Sequence, residues 1–242
     1  MKHLEGNGIS KSFKNRLVVN NISLRVNQGE IIGLLGPNGA GKTTTFLMIL
    51  GIHRPETGNI LLNNVDITRE PVYMRARMGI GFLPQEPSIF KGLTVKDNIL
   101  AIMGMHPQRR SQDVDVEIEN ILTEMGILEL KNRKAYLLSG GERRRLEIAR
   151  SLVLSPDFLL LDEPFAGIDP LQIKEIQNLI IKLKERGLGV IITDHNVREI
   201  LKITDRSYII NRGEIIFQGN SRELIANERV KTEYLGKEFR WN

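Results

Sequence analysis

The segment Gly36–Thr43 constrains this chain more than any other, because it fits the pattern G-x-x-x-x-G-K-[ST] at every defined position. It follows the apolar run Ile31–Leu35, so we predict a strand, a loop and a helix that begins at Lys42. Glycines let the loop curl until successive N–H groups point at phosphate oxygens, and the helix N-terminus favours the same negative charge. Lys42 is expected to reach the β- and γ-phosphates, and Thr43 to bind Mg²⁺. The predicted phosphate-binding residues are Gly36, Pro37, Asn38, Gly39, Ala40, Gly41, Lys42, Thr43 and Thr44.

Two other interpretations of this loop are weaker. A glycine-rich turn without a ligand does not account for the strand, the helix and the complete pattern together. A dinucleotide-binding loop gives the lysine and the threonine no role.

A pair of acidic residues ends the apolar run Phe158–Leu161. Asp162 is expected to hold Mg²⁺ through water, and Glu163 to lie next to the γ-phosphate. A carboxylate in that position can orient or deprotonate the attacking water, so Glu163 is the candidate catalytic residue. Taken alone, the pair could also be an acidic turn after a strand. Beside the loop at Lys42, it indicates hydrolysis of a nucleoside triphosphate.

Short apolar runs predict an α/β fold. Glu30–Leu35, Phe158–Leu161 and Val190–Thr193 are typical of strands buried on both faces of a parallel sheet, with helices packed on each side. Turn residues at 63–64 and 211–213 predict two hairpins, and therefore an antiparallel layer beside the parallel one.

The chain is expected to form one domain over residues 1–242. Residues 1–92 and 155–220 would form the core with its antiparallel layer, and residues 93–154 a helical insert. Asp169 is predicted to cap a helix that ends at Gly187. Residues 221–242 would form a C-terminal extension, which we do not expect to be wholly disordered because it retains the large apolar residues Tyr234, Leu235, Phe239 and Trp241.

Composition excludes several classes of function. The chain has no cysteine, which rules out disulfides, thiolate catalysis and thiolate zinc sites. Its formal net charge of +5 is spread along the sequence apart from Arg143–Arg145, so we expect solvated faces and no nucleic-acid partner. No run approaches the roughly 18 apolar residues of a membrane span. We therefore expect a cytoplasmic protein that reaches a membrane only through partners.

The segment Leu138–Glu142 separates this chain from other proteins with a phosphate loop. Ser139 and Glu142 have the spacing of a capping box for a following helix. Gly140 and Gly141 would expose amides at the helix N-terminus, which favours a phosphate. This segment resembles the signature motif of the ATP-binding subunits of ABC transporters.

The resemblance implies a P-loop ATPase with a core, an antiparallel β subdomain and a helical subdomain. In that family two copies bind ATP and Mg²⁺ between them, each with its own phosphate loop and the other copy's signature motif. By that resemblance Ser139, Gly140 and Gly141 would contact the γ-phosphate held by the second copy of a homodimer. Asp169 would lie at the dimer seam.

Other residues acquire a function from the same resemblance. Gln85 would contact Mg²⁺ and water and sense the membrane partner, and His195 would contact the γ-phosphate. Without the other motifs, a solvated loop histidine is the simpler interpretation of His195. Phe13 would stack on adenine, with a core phenylalanine as the alternative.

Some stretches are similar to a narrower group, the ATPases of lipopolysaccharide-export transporters. This similarity implies two integral inner-membrane permease subunits that dock near Gln85–Phe90, with Phe90 as a contact. The chain would then be peripheral on the cytoplasmic face of the inner membrane. ATPases of branched-chain amino-acid importers and soluble ABC ATPases are the alternatives. The similar stretches are Gln85–Phe90, Ser139–Arg145, Phe165–Pro170, Asp194–Glu199 and Tyr234–Phe239.

Overall fold

The structure is a computed structural model that describes residues 2–104, 113–236 and 239. Lys237, Glu238 and Trp241 of the predicted C-terminal extension lie outside the described residues. The strands are β1 (His3–Phe13), β2 (Arg16–Asn27), β3 (Ile31–Leu35), β4 (Thr57–Leu62), β5 (Val65–Asp66), β6 (Ile80–Leu83), β7 (Phe158–Asp162), β8 (Gly189–Thr193), β9 (Arg206–Asn211) and β10 (Glu214–Gly219).

Helices occupy most of the rest of the described chain. The α-helices are α1 (Lys42–Ile49), α2 (Val72–Arg77), α3 (Val95–Gly104), α4 (Val114–Glu124), α5 (Gly140–Leu152), α6 (Pro170–Glu185), α7 (Val197–Leu201), α8 (Ser221–Ala226) and α9 (Glu228–Val230). Two 3₁₀ turns cover Leu128–Leu130 and Ala135–Leu137, and a π-helical turn, Lys231–Leu235, follows α9. Within the described residues, no helix is both long and apolar enough to cross a membrane.

A six-stranded sheet in the order β10-β9-β3-β8-β7-β6 forms the centre of the fold. Its strands run parallel except β10, which pairs antiparallel with β9. The hairpin at residues 211–213 is therefore confirmed, but it extends this sheet and does not build the separate antiparallel layer that we expected.

The fully apolar strands are buried on both faces, as predicted. Ile31 and Leu35 of β3 belong to one core, and Ile32 and Leu34 to another. This split follows from the pleat, because successive side chains of a strand point to opposite faces of the sheet. Helices α3 to α6 cover the first face.

The second face carries a helix, as expected, and also the antiparallel layer that we expected beside the parallel sheet. It is covered by α1 and a four-stranded antiparallel sheet in the order β2-β1-β4-β5. The hairpin at residues 63–64 lies in this sheet, between β4 and β5, as predicted. Strands β1 and β2, which pair over most of their length, were not predicted.

The C-terminal helices pack on the first core. Leu224 of α8 and Val230 of α9 are fully buried there, and Tyr234 and Leu235 pack half-buried against it. Burial and a nearby Asp194 raise the pKa of the Tyr234 hydroxyl to about 12. These described residues of the extension are thus part of the packed domain of their own chain.

Arg75 of α2 is buried and joins α1 to the segment that precedes α2. Its guanidinium donates hydrogen bonds to the carbonyls of Met48 (2.8 Å), Ile49 (2.6 Å), Thr68 (3.0 Å) and Glu70 (2.9 Å). Burial lowers its pKa to about 10. The first two carbonyls belong to the last turn of α1, where intrahelical donors run out, so Arg75 acts as a C-terminal cap from another element.

Replacing Arg75 should therefore destabilise the fold. Arg75→Met removes this donor from four carbonyls, and among the described residues only the carbonyl of Met48 keeps a backbone partner, the Gly51 N–H at 3.1 Å. We expect the free energy of unfolding to fall by about 3 kcal/mol in urea denaturation. Arg77→Met, an exposed arginine two residues further along α2, serves as the control and should change stability by less than about 0.5 kcal/mol. Equal effects of the two substitutions would contradict this account.

Candidate nucleotide-binding and catalytic site

The predicted phosphate loop connects β3 to α1, and α1 begins at Lys42 as expected. Gly36 has a φ of +154°, and a Cβ there would lie 2.1 Å from the carbonyl oxygen of Ile210. Gly41 has a φ of +110°, and a Cβ there would lie 2.8 Å from the carbonyl oxygen of Val18. Only glycine can occupy these positions, so the loop shape depends on neighbours from β2 and β9.

Lys42 folds back over its own loop. Its Nζ donates to the carbonyls of Gly36 (2.7 Å) and Pro37 (3.1 Å). Burial lowers the pKa of this ammonium, while the carboxylates of Glu163 and Asp162 act in the opposite direction. Lys42 is thus a buried cation directed at the inner side of the loop and within electrostatic reach of both acids.

Asp162 is the last residue of β7, and only 4% of its surface is exposed. Burial, with a smaller effect from Glu163, raises the pKa of its carboxyl to about 6, and Lys42 and Arg144 oppose the shift. A buried carboxyl with a raised pKa is typical of a functional site. A cation bound beside it would stabilise its ionised form.

Glu163 adopts a left-handed backbone conformation, with a φ of +49°, that is uncommon for a non-glycine residue. Its N–H donates to the carbonyl of Thr193 on β8 (2.8 Å). Its carboxylate accepts from Gln85 Nε2 (2.8 Å), and its other oxygen lies 2.6 Å from His195 Nε2. The fold therefore brings together three predicted residues that are far apart in sequence.

His195 combines features of a solvated loop histidine with those of a site residue. About half of its side chain is exposed, as a solvated loop histidine would be, yet its ring contacts Glu163. Asp194 explains the placement, because its carboxylate accepts from the N–H groups of Asn196 (2.9 Å) and Phe165 (2.9 Å) and so fixes the loop after β8.

Arg144 is a site residue that the sequence analysis missed, since we expected the run Arg143–Arg145 to be solvated. Its guanidinium is buried, pairs with Glu147 (2.9 Å) and donates to the carbonyls of Pro84 (3.1 Å) and Glu163 (3.0 Å). It also donates to the carbonyls of Asp162 and Pro164, both at 3.1 Å. Arg144 thus connects the residue before Gln85 to the backbone of the acidic pair and of the proline that follows it.

The signature segment, Leu138–Glu142, forms the predicted capping box at the start of α5. The Glu142 N–H donates to Ser139 Oγ (3.3 Å), and the Ser139 N–H donates to the Glu142 carboxylate (2.7 Å). Ser139 and Gly140 are exposed, but Gly141 is buried and its N–H donates to Gln172 Oε1 (3.1 Å). The expectation that both glycines expose their amides is therefore wrong for Gly141.

An open cleft of about 680 Å³ lies beside the phosphate loop. Phe13 is 40% exposed at its wall, so the alternative that it is a core phenylalanine is wrong. The His53 ring meets Phe13 edge-on at 5.3 Å, and Lys11 Nζ lies 5.7 Å from its centroid. Thr43 is exposed and Thr44 half-buried in the first turn of α1. The cleft is lined by Phe13, Arg16, Leu17, Val18, Pro37, Asn38, Gly39, Ala40, Asn211 and Arg212.

The two predicted partner contacts lie on the surface. Asp169 is exposed and caps α6, accepting from the Leu171 N–H (2.9 Å). Phe90 is 40% exposed, and the Arg150 guanidinium lies 4.6 Å from its ring centroid. Arg150 also lines an apolar groove with Val72, Phe82 and Leu154.

Comparison with known proteins gives a consistent result. The family described as ABC transporter matches residues 19–166. The chain is 48% identical to the lipopolysaccharide export system ATP-binding protein LptB of Escherichia coli K12, covering 99% of this chain and 100% of that protein. It is 49% identical to LptB of Acidithiobacillus ferridurans, with 98% of each chain covered. An uncharacterized ABC transporter ATP-binding protein of Rhizobium meliloti is 51% identical over 96% of this chain and 86% of its own length.

Solved structures resemble the fold over nearly its whole length. A nucleotide-free ATP-binding cassette from an ABC transporter superposes with a TM-score of 0.87 at 28% identity, covering 98% of this chain and all of that chain. The ADP conformation of the cassette MJ1267 gives the same TM-score at 29% identity, with the same coverage. From the family match and these relatives, the chain belongs to the ABC transporter family of ATP-binding proteins.

Proposed function

We propose that this chain is the ATP-hydrolysing motor subunit of a transporter that extracts lipopolysaccharide from the inner membrane and exports it to the outer membrane. The observation that carries the ATPase part is Glu163, whose carboxylate is held between Gln85 and His195 within reach of Lys42 and Asp162. The export part is supported by relatives named as lipopolysaccharide export ATP-binding proteins, which match nearly the whole chain.

The cleft suits a nucleotide. Its aromatic wall at Phe13 would take the base, and the loop amides with Lys42 would take the phosphates. The similar cassette MJ1267 was solved in an ADP conformation, which supports nucleotide binding by this fold.

A magnesium ion fits the oxygen donors at this site. Among residues 2–104, 113–236 and 239, no group of three His, Asp or Glu side chains could hold a metal by itself. Mg²⁺ commonly binds through one or two protein oxygens together with phosphates and water. Thr43, Asp162 and Gln85 would provide such oxygens, and the ion would supply charge stabilisation at the transferred phosphate.

Hydrolysis requires a base for the attacking water. Glu163 would accept a proton from water as the new bond to the γ-phosphorus forms and the bond to the β-phosphate oxygen breaks. Gln85 and His195 would orient the Glu163 carboxylate, and Lys42 would balance charge on the phosphates.

The motor would act as a homodimer. Within the described residues, no hydrogen bond joins the phosphate loop to Ser139, Gly140 or Gly141. These three residues would therefore contact the γ-phosphate that is bound to the phosphate loop of a second copy. Asp169 would lie at the seam between the copies. The helical part, residues 93–154, would move with the signature segment.

Membrane subunits would dock on the apolar groove beside Phe90. The groove lies between α2, β6 and α5, and Arg150 joins it to Phe90 through the contact of its guanidinium with the ring. Through these partners, two integral inner-membrane permease subunits, the chain would be peripheral on the cytoplasmic face of the inner membrane.

Copurification from native membranes tests this function. A tagged chain extracted in mild detergent should retain two membrane proteins with large periplasmic domains, and Phe90→Ala should lose them while still binding ATP. Val65→Ala, at an exposed apolar residue of β5 outside the groove, is the control. Permeases with a periplasmic binding protein would indicate nutrient import, and absence of any membrane partner would indicate a soluble ATPase.

Removing the proposed base should stop turnover. Glu163→Gln keeps the shape and loses the proton acceptor, so we expect ATP hydrolysis to fall by about 10²–10⁴-fold while ATP binding persists and a dimer accumulates. Steady-state hydrolysis and light scattering measure both effects, and Glu185→Gln, an exposed glutamate at the end of α6, is the control. Wild-type turnover in Glu163→Gln would remove Glu163 from this role.

The raised pKa of Asp162 predicts a pH-dependent cost to stability. Below its usual pKa of 3.8 the carboxyl is protonated in the folded and the unfolded chain, and the free energy of unfolding is not reduced. Above about 6 the carboxyl is ionised in both, and the free energy of unfolding is reduced by the full amount. Asp162→Asn should therefore raise the free energy of unfolding by on the order of 2 kcal/mol at about pH 8, and by little near pH 4. Urea denaturation of the isolated chain measures this difference.

The exposed carboxylate of Asp115 provides the control for this measurement. Asp115→Asn should change stability by less than about 1 kcal/mol at either pH. A gain from Asp162→Asn that is the same at both pH values would contradict the raised pKa.

A further inference from the structure

Gln172 covers one of the amides that the proposed function assigns to phosphate binding. It lies in the first turn of α6, and its Oε1 accepts the Gly141 N–H at 3.1 Å. The fit is close, because a Cβ on Gly141 would lie 2.6 Å from Gln172 Oε1 and 2.7 Å from its Cδ. Gly141 is buried beneath this carboxamide, whereas its neighbours Ser139 and Gly140 are exposed.

The donors at the start of α5 show why this contact matters. The first N–H groups of a helix have no intrahelical acceptor and are available to a phosphate. The Glu142 N–H is taken by Ser139 Oγ, and the Gly141 N–H by Gln172. An N–H has one hydrogen to donate, so a phosphate oxygen that uses the Gly141 amide has to replace Gln172.

We propose that Gln172 is a positioning residue that competes with the partner-held γ-phosphate for the Gly141 N–H, and we call this contact the Gln172 latch. This inference rests on the proposed function, in which a second copy supplies that phosphate. The latch raises the ATP concentration needed to form the dimer, and its release frees the amide for the phosphate.

Gln172 lies in the helix turn that begins at the proposed dimer seam. Asp169, proposed to lie at that seam, caps the same helix turn three residues earlier. Another contact between the helices, Arg145 to Glu175 at 3.5 Å, lies further along α6 and is mostly exposed on the Glu175 side. A shift of the first turn of α6 as the second copy docks on Asp169 therefore moves Gln172 relative to Gly141.

Two substitutions at Gln172 should act in opposite directions. Gln172→Ala removes the competing acceptor, so the ATP concentration at half-maximal dimer should fall by about two- to tenfold, the range of one neutral hydrogen bond. Gln172→Glu supplies a charged acceptor that holds the Gly141 N–H more strongly and repels phosphate, so the midpoint should rise by about tenfold or more.

The measurement is ATP-dependent dimer formation by light scattering of the full chain in the Glu163→Gln background, with MgATP as the probe. Asn178→Ala, which removes an exposed carboxamide from the same helix, is the control and should leave the midpoint unchanged. Thermal unfolding of each variant establishes that the compared chains are folded.

Opposite shifts support the latch. A midpoint that rises in both variants means that the contact only supports the local structure, and a midpoint that changes in neither means that the amide is not contested; both results overturn the inference. Failure of the Glu163→Gln parent itself to dimerise with ATP is distinct from these results, and it overturns the proposed function and the latch together.

Discussion

The buried guanidinium of Arg144 is the interaction on which the geometry of the site depends. It joins α5 to the segment before Gln85 and to the end of β7 through four main-chain carbonyls and one carboxylate. A buried cation is stable only when its donors are satisfied, and the planar guanidinium satisfies several acceptors in fixed directions. Because these acceptors flank Gln85 and Glu163, the same contact sets the distance between the two side chains.

The two cores give this contact a rigid frame. Every residue of β3, β7 and β8 is buried. Because these strands pair in parallel, their carboxyl ends meet at one edge of the sheet, where they carry the phosphate loop, the acidic pair and the His195 loop. A parallel sheet commonly binds its ligand at that edge. This arrangement lowers the stability of the fold locally, through the left-handed backbone conformation of Glu163 and the burial that raises the pKa of Asp162. Such strain is typical of functional sites, where the surrounding structure maintains it.

The sequence predicts the parallel strands, both hairpins, the α5 capping box and the Asp169 cap correctly, because each depends on neighbouring residues or on a short repeat. Strand β1 was missed because its pairing with β2 is interrupted by register shifts, among them one beyond Gly6. Strand β2 was missed although its buried residues Ile22, Leu24 and Val26 alternate regularly with exposed ones, as the sequence pattern of a half-buried strand requires. The antiparallel sheet that these strands build is the antiparallel layer expected beside the parallel one, and it covers the second face together with α1.

The remaining differences depend on contacts between distant segments. A run of three arginines has the local pattern of a solvated face, and nothing in the sequence shows that the second one meets carbonyls about 20 to 60 residues away. For the same reason the sequence does not reveal that Gln172 lies over Gly141. The roles of the candidate site residues in binding and catalysis stay predictions, although the fold brings Gln85, Glu163 and His195 into contact.

The most direct test of this account is the steady-state ATPase activity of Arg144→Lys, with ATP affinity and thermal unfolding measured on the same preparation. Lysine keeps the charge and cannot reproduce the planar set of donors, so kcat should fall by about tenfold or more while ATP affinity changes by less than about threefold. Arg143→Lys, at the preceding and less buried position, should retain wild-type kcat. A folded Arg144→Lys chain with wild-type kcat would contradict the claim that Arg144 positions Gln85 and Glu163.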